Sequence, residues 1–271
     1  MRMVATDLDG TIVGPDLSVS SRTVAALRAC EDAGVPVVLV TGRPPRWMSD
    51  VVARTGATGQ AICANGAVVY DCLTGGIVRV RTIPAASVAE VVGRLRQALG
   101  DVDVALETPQ GFLREPGYLP RWDLATIPRG SAPLEVLLRA DPQVVKVLVR
   151  AEHSSADAML ALARSAVPDL VEATHSNSAD CLLELSAPGV SKAATLAELA
   201  GDRGVDALDV VAFGDQPNDV PMLVWAGRGY AMADGHPEAL AAADAVAPPV
   251  TQDGVAQILE RLLLRRRESA V

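Results

Sequence analysis

The chain has little of what marks a secreted or membrane-bound protein. Aromatic residues make up 3% of its 271 positions, and its four cysteines show no CxxC spacing, which favours reduced, buried thiols. Its start has no basic-then-apolar signal pattern, and no apolar run reaches the roughly 18 residues that a membrane-spanning helix needs. We therefore expect a cytoplasmic protein with no membrane partner.

Positive charge and histidine are also in short supply. Lysine and arginine number 24 against 33 aspartate and glutamate residues, so the formal net charge is -9. This charge disfavours nucleic acid as a partner, and an anionic small molecule would need local cations or a metal ion at its site. The three histidines, His153, His175 and His236, lack metal-ligand spacing, so we expect solvated or structural roles rather than a zinc site.

Apolar residues, at 49% of the chain, are ample for a sizeable core. Short apolar runs alternate with amphipathic stretches at both ends of the chain, which is typical of βαβ units around a parallel sheet. From about residue 84 to residue 188 the pattern changes to α+β. We predict an α/β fold, a doubly wound, mostly parallel sheet with an inserted α+β cap domain. Residues 1–83 and 189–271 would form the core and residues 84–188 the cap, in a monomer or weak homodimer.

Polar residues follow three predicted strands of this sheet. Asp7 and Asp9 end the first, Thr41 ends the second and Asp215 ends a late strand. Ligands of doubly wound sheets bind beyond the carboxyl ends of the strands, where three carboxylates without a cation would repel one another. A hard divalent cation, Mg2+ above all, removes that conflict. Lys192, at the start of a predicted helix, is placed to complete a receptor for phosphate.

Four segments in this order resemble the motifs of the haloacid dehalogenase superfamily: Asp7-Leu8-Asp9-Gly10-Thr11, Thr41-Gly42-Arg43, Lys192 and Gly214-Asp215-Gln216-Pro217-Asn218-Asp219. The DxDGT opening, the GDxxND segment and the insertion between the second and third motifs are similar to its Cof-type branch, the subfamily IIB sugar-phosphate phosphatases. The ordered set carries this resemblance, since a single motif of this kind occurs by chance in many loops. It implies a Rossmannoid core covered by a cap.

The resemblance also implies the catalytic roles. Asp7 would be the nucleophile that forms an aspartyl-phosphate, and Asp9 would protonate the leaving alkoxide and then deprotonate the attacking water. Mg2+ would be held by Asp7, the backbone carbonyl of Asp9 and Asp215, with Asp219 as a further or outer carboxylate. The cap would act as a lid that excludes water and recognises the rest of a small phosphate monoester.

The phosphoryl oxygens would be held by a second set of residues. The resemblance assigns Thr41, Gly42, Lys192 and Asn218 to it, and electrostatic stabilisation there should dominate the rate effect. Arg43 and Asn65 flank the same crevice and are further candidates for substrate contact. Within the cap, the segment 108–123 holds Phe112, Arg114, Tyr118, Arg121 and Trp122, which either contact a leaving group or, as we favour, pack inward from an ordinary loop.

The sequence leaves four functions open. We favour a phosphatase that hydrolyses small phosphate monoesters such as sugar phosphates. A phosphomutase would use the same aspartyl-phosphate, whereas a non-catalytic phospho-ligand sensor or phosphoacceptor domain would have no use for an acid at Asp9 or for a large lid. A dinucleotide-binding enzyme fits the fold alone, although no GxGxxG follows the first strand.

Overall fold

The computed structural model describes residues 1–120, 130–178 and 180–268. In chain order, the strands of the described residues are β1 (Met3–Thr6), β2 (Val37–Val40), β3 (Gln60–Cys63), β4 (Val68–Asp71), β5 (Gly76–Val80), β6 (Asp103–Thr108), β7 (Gly111–Arg114), β8 (Lys146–Arg150), β9 (Glu172–Thr174), β10 (Leu182–Ser186), β11 (Val210–Gly214), β12 (Arg228–Met232) and β13 (Ala245–Ala247). The α-helices are α1 (Ser21–Asp32), α2 (Met48–Thr55), α3 (Ala85–Leu99), α4 (Leu134–Leu138), α5 (Ala156–Ala166), α6 (Lys192–Gly201), α7 (Val220–Trp225), α8 (Pro237–Ala242) and α9 (Gly254–Glu268).

An eight-stranded sheet, in the order β13-β12-β11-β1-β2-β3-β4-β5, forms the centre of the core. Its strands from β13 to β3 are parallel, and only β4 and β5 join antiparallel. β1 pairs with β2 on one side and β11 on the other, so the sheet grows outward from β1 in both directions. This confirms the predicted doubly wound α/β fold and places the reversal of strand order, where ligands bind, at the end of β1.

Local sequence signals account for the first βαβ unit. β1 is wholly buried, as expected for a strand covered on both faces by helices. Ser20 caps α1 by accepting a hydrogen bond from the backbone N–H of Thr23 at 3.0 Å, and Gly34 follows the helix with a φ of +71°. The buried face of α1 carries Ala26, Leu27 and Cys30, which pack in the core under the sheet. These elements position the loop that follows β1.

A second sheet of five antiparallel strands, in the order β7-β6-β8-β10-β9, forms the cap. Alternate side chains of its strands point to opposite faces, and one face packs on α3 and α5 through residues such as Val104, Val147 and Leu183. The chain enters the cap between β5 and α3 and returns between β10 and α6. The limits at 83/84 and 188/189 lie in these two connections and stay our proposal for the domain division.

The sequence predicts an ordinary loop over residues 108–123, and this prediction is wrong for the first part of the segment. Gly111–Arg114 forms β7 and pairs with β6, because Thr108 and Gly111 close a tight turn in which Thr108 Oγ1 accepts from the N–H of Gly111 at 3.0 Å. Phe112 and Tyr118 pack inward as predicted, with ring centroids 5.8 Å apart. Arg121 and Trp122 lie outside the described residues.

The cysteines behave as small core residues. Cys30, Cys63 and Cys72 are buried and Cys181 is half-buried, and all four are free thiols. Burial raises the pKa of Cys30 and of Cys72 to about 11, so both thiols stay protonated near neutral pH. Across residues 1–120, 130–178 and 180–268, no helix combines the length and the apolar character needed to cross a membrane.

Candidate active site

Three buried carboxylates meet beyond the ends of β1 and β11. Asp7 directly follows β1 and Asp215 directly follows β11, and the parallel pairing of Thr6 with Phe213 brings both to the same sheet edge. Asp219 reaches them from the 3-10 turn Pro217–Asp219. One oxygen from each of the three carboxylates lies within 4.8 Å of the others. The structure therefore brings together the three predicted metal-ligand carboxylates.

Two glycines make room for this cluster. Gly10 has a φ of +81°, and a Cβ at this position would collide with the carboxylate of Asp215. A Cβ at Gly214 would collide with the Asp219 side chain. The glycines of the DxDGT and GDxxND segments are thus needed for close approach of the two loops and, at Gly10, for backbone conformation.

Lys192 supplies one positive charge to the cluster. Its Nζ donates to Asp7 Oδ1 at 2.5 Å and to Asp219 Oδ1 at 2.6 Å, and its side chain is 1% exposed. Ser191 caps α6, which starts at Lys192 and sets the direction of the side chain. Burial by itself would lower the pKa of Lys192, but Asp219 and Asp7 raise it above its ordinary value. The ammonium group therefore stays charged.

One ammonium group is too little charge for three carboxylates. Burial and Asp219 raise the pKa of Asp7 well above its ordinary value, against the opposing effect of Lys192. Burial and Asp219 also raise the pKa of Asp215, to about 7. The cluster therefore lacks positive charge, and buried carboxylate oxygens are the ligands that a hard divalent cation prefers. The residues present therefore fit a divalent cation.

Both carboxylate oxygens of Asp219 already accept hydrogen bonds from the protein. Its Oδ2 accepts from the backbone N–H groups of Asp215 and Gln216, each at 3.0 Å, while its Oδ1 accepts from Lys192. Thr11 and Gln216 donate to the two oxygens of Asp215, each at 3.0 Å, and orient that carboxylate. Asp7 and Asp215 would therefore hold the cation directly, with Asp219 behind them.

Asp9 lies apart from the buried cluster. The Asp9 side chain is 51% exposed, whereas that of Asp7 is 7% exposed. Arg43 binds Asp9 through two hydrogen bonds of 2.8 and 2.5 Å. The two-residue spacing predicted a shared face for Asp7 and Asp9, but β1 ends at Thr6 and the chain turns from Leu8 onward, so the alternation of a strand does not apply there. Arg43 holds the Asp9 carboxylate instead. Arg43, which sequence reasoning left without a definite role, is the partner of Asp9 in this structure.

The predicted phosphoryl-binding residues gather around the turn that follows β2. Thr41 is buried, and its Oγ1 accepts from the N–H of Arg43 at 3.0 Å, so its own O–H is left to donate elsewhere. Asn218 Nδ2 donates to Asn65 Oδ1 at 3.1 Å. A Cβ on Gly42 would lie 3.0 Å from Asn65 Oδ1 and 3.7 Å from Asn218 Nδ2. The structure thus brings Thr41, Gly42 and Asn218 close together, with Asn65 between cap and core.

Sequence reasoning missed the cap residues that reach this turn. Lys146 Nζ donates to the Gly42 carbonyl at 2.8 Å and to Glu184 Oε1 at 2.7 Å. Asn65 Nδ2 donates to Glu184 Oε2 at 2.9 Å. Burial would raise the pKa of Glu184, but Lys146 and Asn65 lower it, so the carboxylate stays ionised. Arg46 and Glu107 form a further ion pair between core and cap, with Nη2 and Oε1 3.1 Å apart.

Two signals could have found these residues. Lys146 and Glu184 each stand among apolar residues, in Val144-Val145-Lys146-Val147 and Leu182-Leu183-Glu184-Leu185, where a charge needs a buried partner. The chain also has only two lysines among its 24 basic residues, and both of them, Lys146 and Lys192, are buried here.

Two of the three histidines meet although they are far apart in sequence. His175 Nε2 and His236 Nε2 lie 2.8 and 3.2 Å from Asp157 Oδ1, which joins the cap to the core. His236 Nδ1 accepts from the N–H of Glu238 and caps α8, so Nε2 carries the hydrogen that Asp157 accepts. A metal-bound histidine donates from its second nitrogen, whereas Nδ1 of His236 accepts, so His236 is set up for a hydrogen-bonded contact with Asp157.

A cavity of about 280 Å³ lies between the cap and the core. Asn65, Lys192 and Asn218 line it from the core, and α5 and the region of β9 line it from the cap. Its volume suits a small metabolite rather than a polymer. The cluster at the end of β1, with an ammonium group and amide donors beside it, can bind a phosphate group and offer it a carboxylate nucleophile.

Residues 4–259 match the haloacid dehalogenase-like hydrolases, and the chain belongs to that family. Its fold is that of the Cof-type, subclass IIB branch. A solved structure described as a subclass IIB sugar phosphatase aligns with a TM-score of 0.80 at 20% identity, over 97% of this chain and 99% of that chain. The predicted resemblance is confirmed.

Two curated phosphatases are similar to the chain over nearly its whole length. The phosphoglycolate phosphatase of Methanothermobacter thermautotrophicus is 29% identical over 264 residues, 97% of this chain and 99% of that protein. The pyridoxal phosphate phosphatase of Escherichia coli is 27% identical over 274 residues, 95% of this chain and 97% of that protein. These likenesses confirm the predicted class of enzyme.

Proposed function

We propose that this protein is a Mg2+-dependent phosphatase that hydrolyses small phosphate monoesters, such as sugar phosphates or related metabolites, through an aspartyl-phosphate on Asp7. The observation that carries the proposal is the buried contact of Asp7 with Lys192 at the point where strand order reverses. A carboxylate held beside an ammonium group has a phosphate-binding partner within reach of its own oxygen. A cytoplasmic location and a monomer or weak homodimer belong to the same proposal and rest on the sequence.

The residues divide the reaction between them. A carboxylate oxygen of Asp7 attacks phosphorus, the bond from phosphorus to the alkoxide oxygen breaks, and the alkoxide takes the proton of Asp9. Asp9 then takes a proton from water, whose oxygen attacks phosphorus and releases Asp7 and orthophosphate. Asp7, the backbone carbonyl of Asp9 and Asp215 would hold Mg2+, which when bound supplies the positive charge that lets two anions approach.

The surrounding side chains bind the substrate and close the site. Lys192 and Asn218 would donate to the phosphoryl oxygens, with the Thr41 hydroxyl beside them. Asp9 has to leave Arg43 to reach the leaving group, so substrate binding should rearrange this ion pair. The cap contacts made by Lys146 and by Glu107 close the site against water.

A screen of phosphate release tests the function. Purified protein is incubated with sugar phosphates, phosphoglycolate and pyridoxal phosphate, with Mg2+, Mn2+, Ca2+ or EDTA. We expect orthophosphate release with Mg2+ from several of these monoesters and none with EDTA. Because Ca2+ takes more ligands at longer distances than Mg2+, it should support little turnover. Absence of release from every monoester would overturn the proposal, and migration of the phosphate without release would identify a phosphomutase.

The stability of the metal-free protein should depend on pH. Burial and Asp219 raise the pKa of Asp215 from 3.8 to about 7, so the folded protein binds the proton of this carboxyl group more tightly than the unfolded chain does. The stabilisation that this gives is complete below pH 4 and is lost as the pH rises through 7. We expect the free energy of unfolding in EDTA to fall by roughly 2–4 kcal/mol between pH 5 and pH 8. Urea unfolding monitored by circular dichroism measures this difference.

Mg2+ and a variant provide the controls for that measurement. Millimolar Mg2+ should restore stability at pH 8, because a ligand of the folded state alone stabilises it. Asp215→Asn should flatten the pH dependence and abolish the Mg2+ effect. Equal stability at pH 5 and pH 8 in EDTA, or no stabilisation by Mg2+, would contradict the idea that the three carboxylates lack positive charge when no cation is bound.

A further inference from the structure

A chain of four buried side chains links the cap to the phosphoryl-binding turn. Lys146 Nζ donates to Glu184 Oε1 at 2.7 Å, Asn65 Nδ2 donates to Glu184 Oε2 at 2.9 Å, and Asn218 Nδ2 donates to Asn65 Oδ1 at 3.1 Å. None of the four residues is more than 6% exposed. Two of them belong to cap strands and two to core loops, so the chain is complete only while the cap lies on the core.

The direction of the hydrogen bonds is fixed from the cap end. An ionised carboxylate only accepts hydrogen bonds, so Asn65 has to turn its N–H2 group towards Glu184. The oxygen of the Asn65 amide then faces Asn218, which in turn has to present its nitrogen. The orientation of the Asn218 amide therefore follows from a carboxylate on the cap.

The nitrogen of Asn218 lies beside the turn that follows β2, on the side of Gly42. It lies 3.7 Å from the position of a Cβ on Gly42, and Lys146 donates to the carbonyl of the same residue. Only one of its two hydrogens is used by Asn65, so the other is left for a ligand. The Asn218 oxygen is buried without a hydrogen-bond partner among the described residues, which costs free energy. The orientation of this amide is therefore set by the hydrogen bond from its nitrogen to Asn65, not by a partner of its oxygen.

We propose that Glu184 and Asn65 are positioning residues that orient the Asn218 amide as a donor to the transferring phosphoryl group. The inference rests on the proposed function of this site. The cap would then do more than exclude water, because contact of Lys146 and Glu184 with the core fixes which atom of the Asn218 amide faces the phosphate. An open cap would leave Asn65 and Asn218 free to rotate, so the receptor would reach full strength only in the closed state.

Glu184→Gln tests the direction of the chain. The new amide at position 184 keeps an acceptor towards Lys146 only by turning its N–H2 group towards Asn65. Asn65 then has to accept from position 184 and donate to Asn218, whose nitrogen turns away from Gly42. We expect kcat/KM for p-nitrophenyl phosphate to fall and the inhibition constant of orthophosphate to rise, each by about tenfold to a hundredfold.

A complementary double variant separates direction from mere packing. In Asn65→Asp with Glu184→Gln, the carboxylate moves to position 65 and accepts from both neighbours, so Asn218 again presents its nitrogen with the same total charge in the chain. This variant should bind orthophosphate at least about fivefold more tightly than Glu184→Gln alone. A purely structural role for Glu184 predicts no such recovery, because the double variant is changed at one more buried position.

Asp180→Asn is the matched control. Arg150 and Asp180 form a second buried pair on the cap, 2.7 Å apart, and Arg150 lies on the same face of β8 as Lys146. Its loss should lower the thermal midpoint comparably while leaving the inhibition constant of orthophosphate within about twofold. If Glu184→Gln does not fold, Asn65→Gly removes the core link while accepting the φ of +56° at this position, and the same loss is expected.

The outcomes distinguish the two levels of the argument. An inactive wild-type protein refutes the proposed function itself. An active wild-type protein whose Glu184→Gln or Asn65→Gly variant matches Asp180→Asn in orthophosphate inhibition overturns the positioning role. Failure of the double variant to recover binding also overturns it.

Discussion

Replacing Asp7 with Asn is expected to lower turnover of any phosphate monoester by roughly three orders of magnitude or more, while the protein stays folded. The amide is nearly isosteric with the carboxylate but has no anionic oxygen to attack phosphorus, so the aspartyl-phosphate cannot form. Steady-state kinetics with the best substrate of the screen, measured beside the thermal midpoint, checks this expectation.

The stability of Asp7→Asn in the absence of a cation gives a second test. Burial and Asp219 raise the pKa of Asp7, so the site disfavours its charge when no cation is bound. In EDTA at pH 8, Asp7→Asn should therefore be at least as stable as the wild type, although Lys192 loses a charged partner. Asp202→Asn, at an exposed carboxylate, serves as the control with unchanged turnover. Full activity of Asp7→Asn would refute the nucleophile, and a collapsed thermal midpoint would indicate a structural role.

The local sequence pattern defines well the strands whose ends hold the buried carboxylates. The apolar run at Met3–Thr6 and the cap at Ser20 depend on neighbours in sequence, and a strand and a helix form there. Parallel strands of one sheet end at one edge, so the topology alone brings Asp7 and Asp215 together. For this reason the buried cluster could be anticipated without coordinates.

The parts that escaped prediction depend on contacts between distant segments. The pairing of β5 with β4 and of β7 with β6 is settled by which edge is available, which short strands do not reveal. The chain from Glu184 to Asn218 joins side chains from four separate loops and strands, and no spacing in the sequence encodes it. The position of Asp9 is likewise set by Arg43, 34 residues away, rather than by the alternation of a strand.

Lys192→Met is expected to have the largest combined effect on stability and activity. The variant keeps most of the apolar stem but leaves Asp7 and the fully buried Asp219 without their ammonium partner. Breaking a buried pair in this way costs about 3–5 kcal/mol, and loss of a cation beside the phosphoryl group should lower kcat by about a hundredfold or more. Urea unfolding and steady-state kinetics measure the two effects.

The origin of that loss can be read from its dependence on pH and on Mg2+. Lys192 lowers the pKa of Asp7 and of Asp215, so without it both carboxyl groups hold protons more strongly in the folded state. The loss of stability should therefore be smallest near pH 5 and grow towards pH 8. Mg2+ should recover part of the stability at pH 8, because it replaces the missing charge, whereas it should not recover turnover. Lys192→Arg keeps the charge on a bulkier group and should fall between the wild type and Lys192→Met in stability. A deficit that is equal at pH 5 and pH 8 would mean that Lys192 acts through packing, and the charge balance proposed for the whole site would then be wrong.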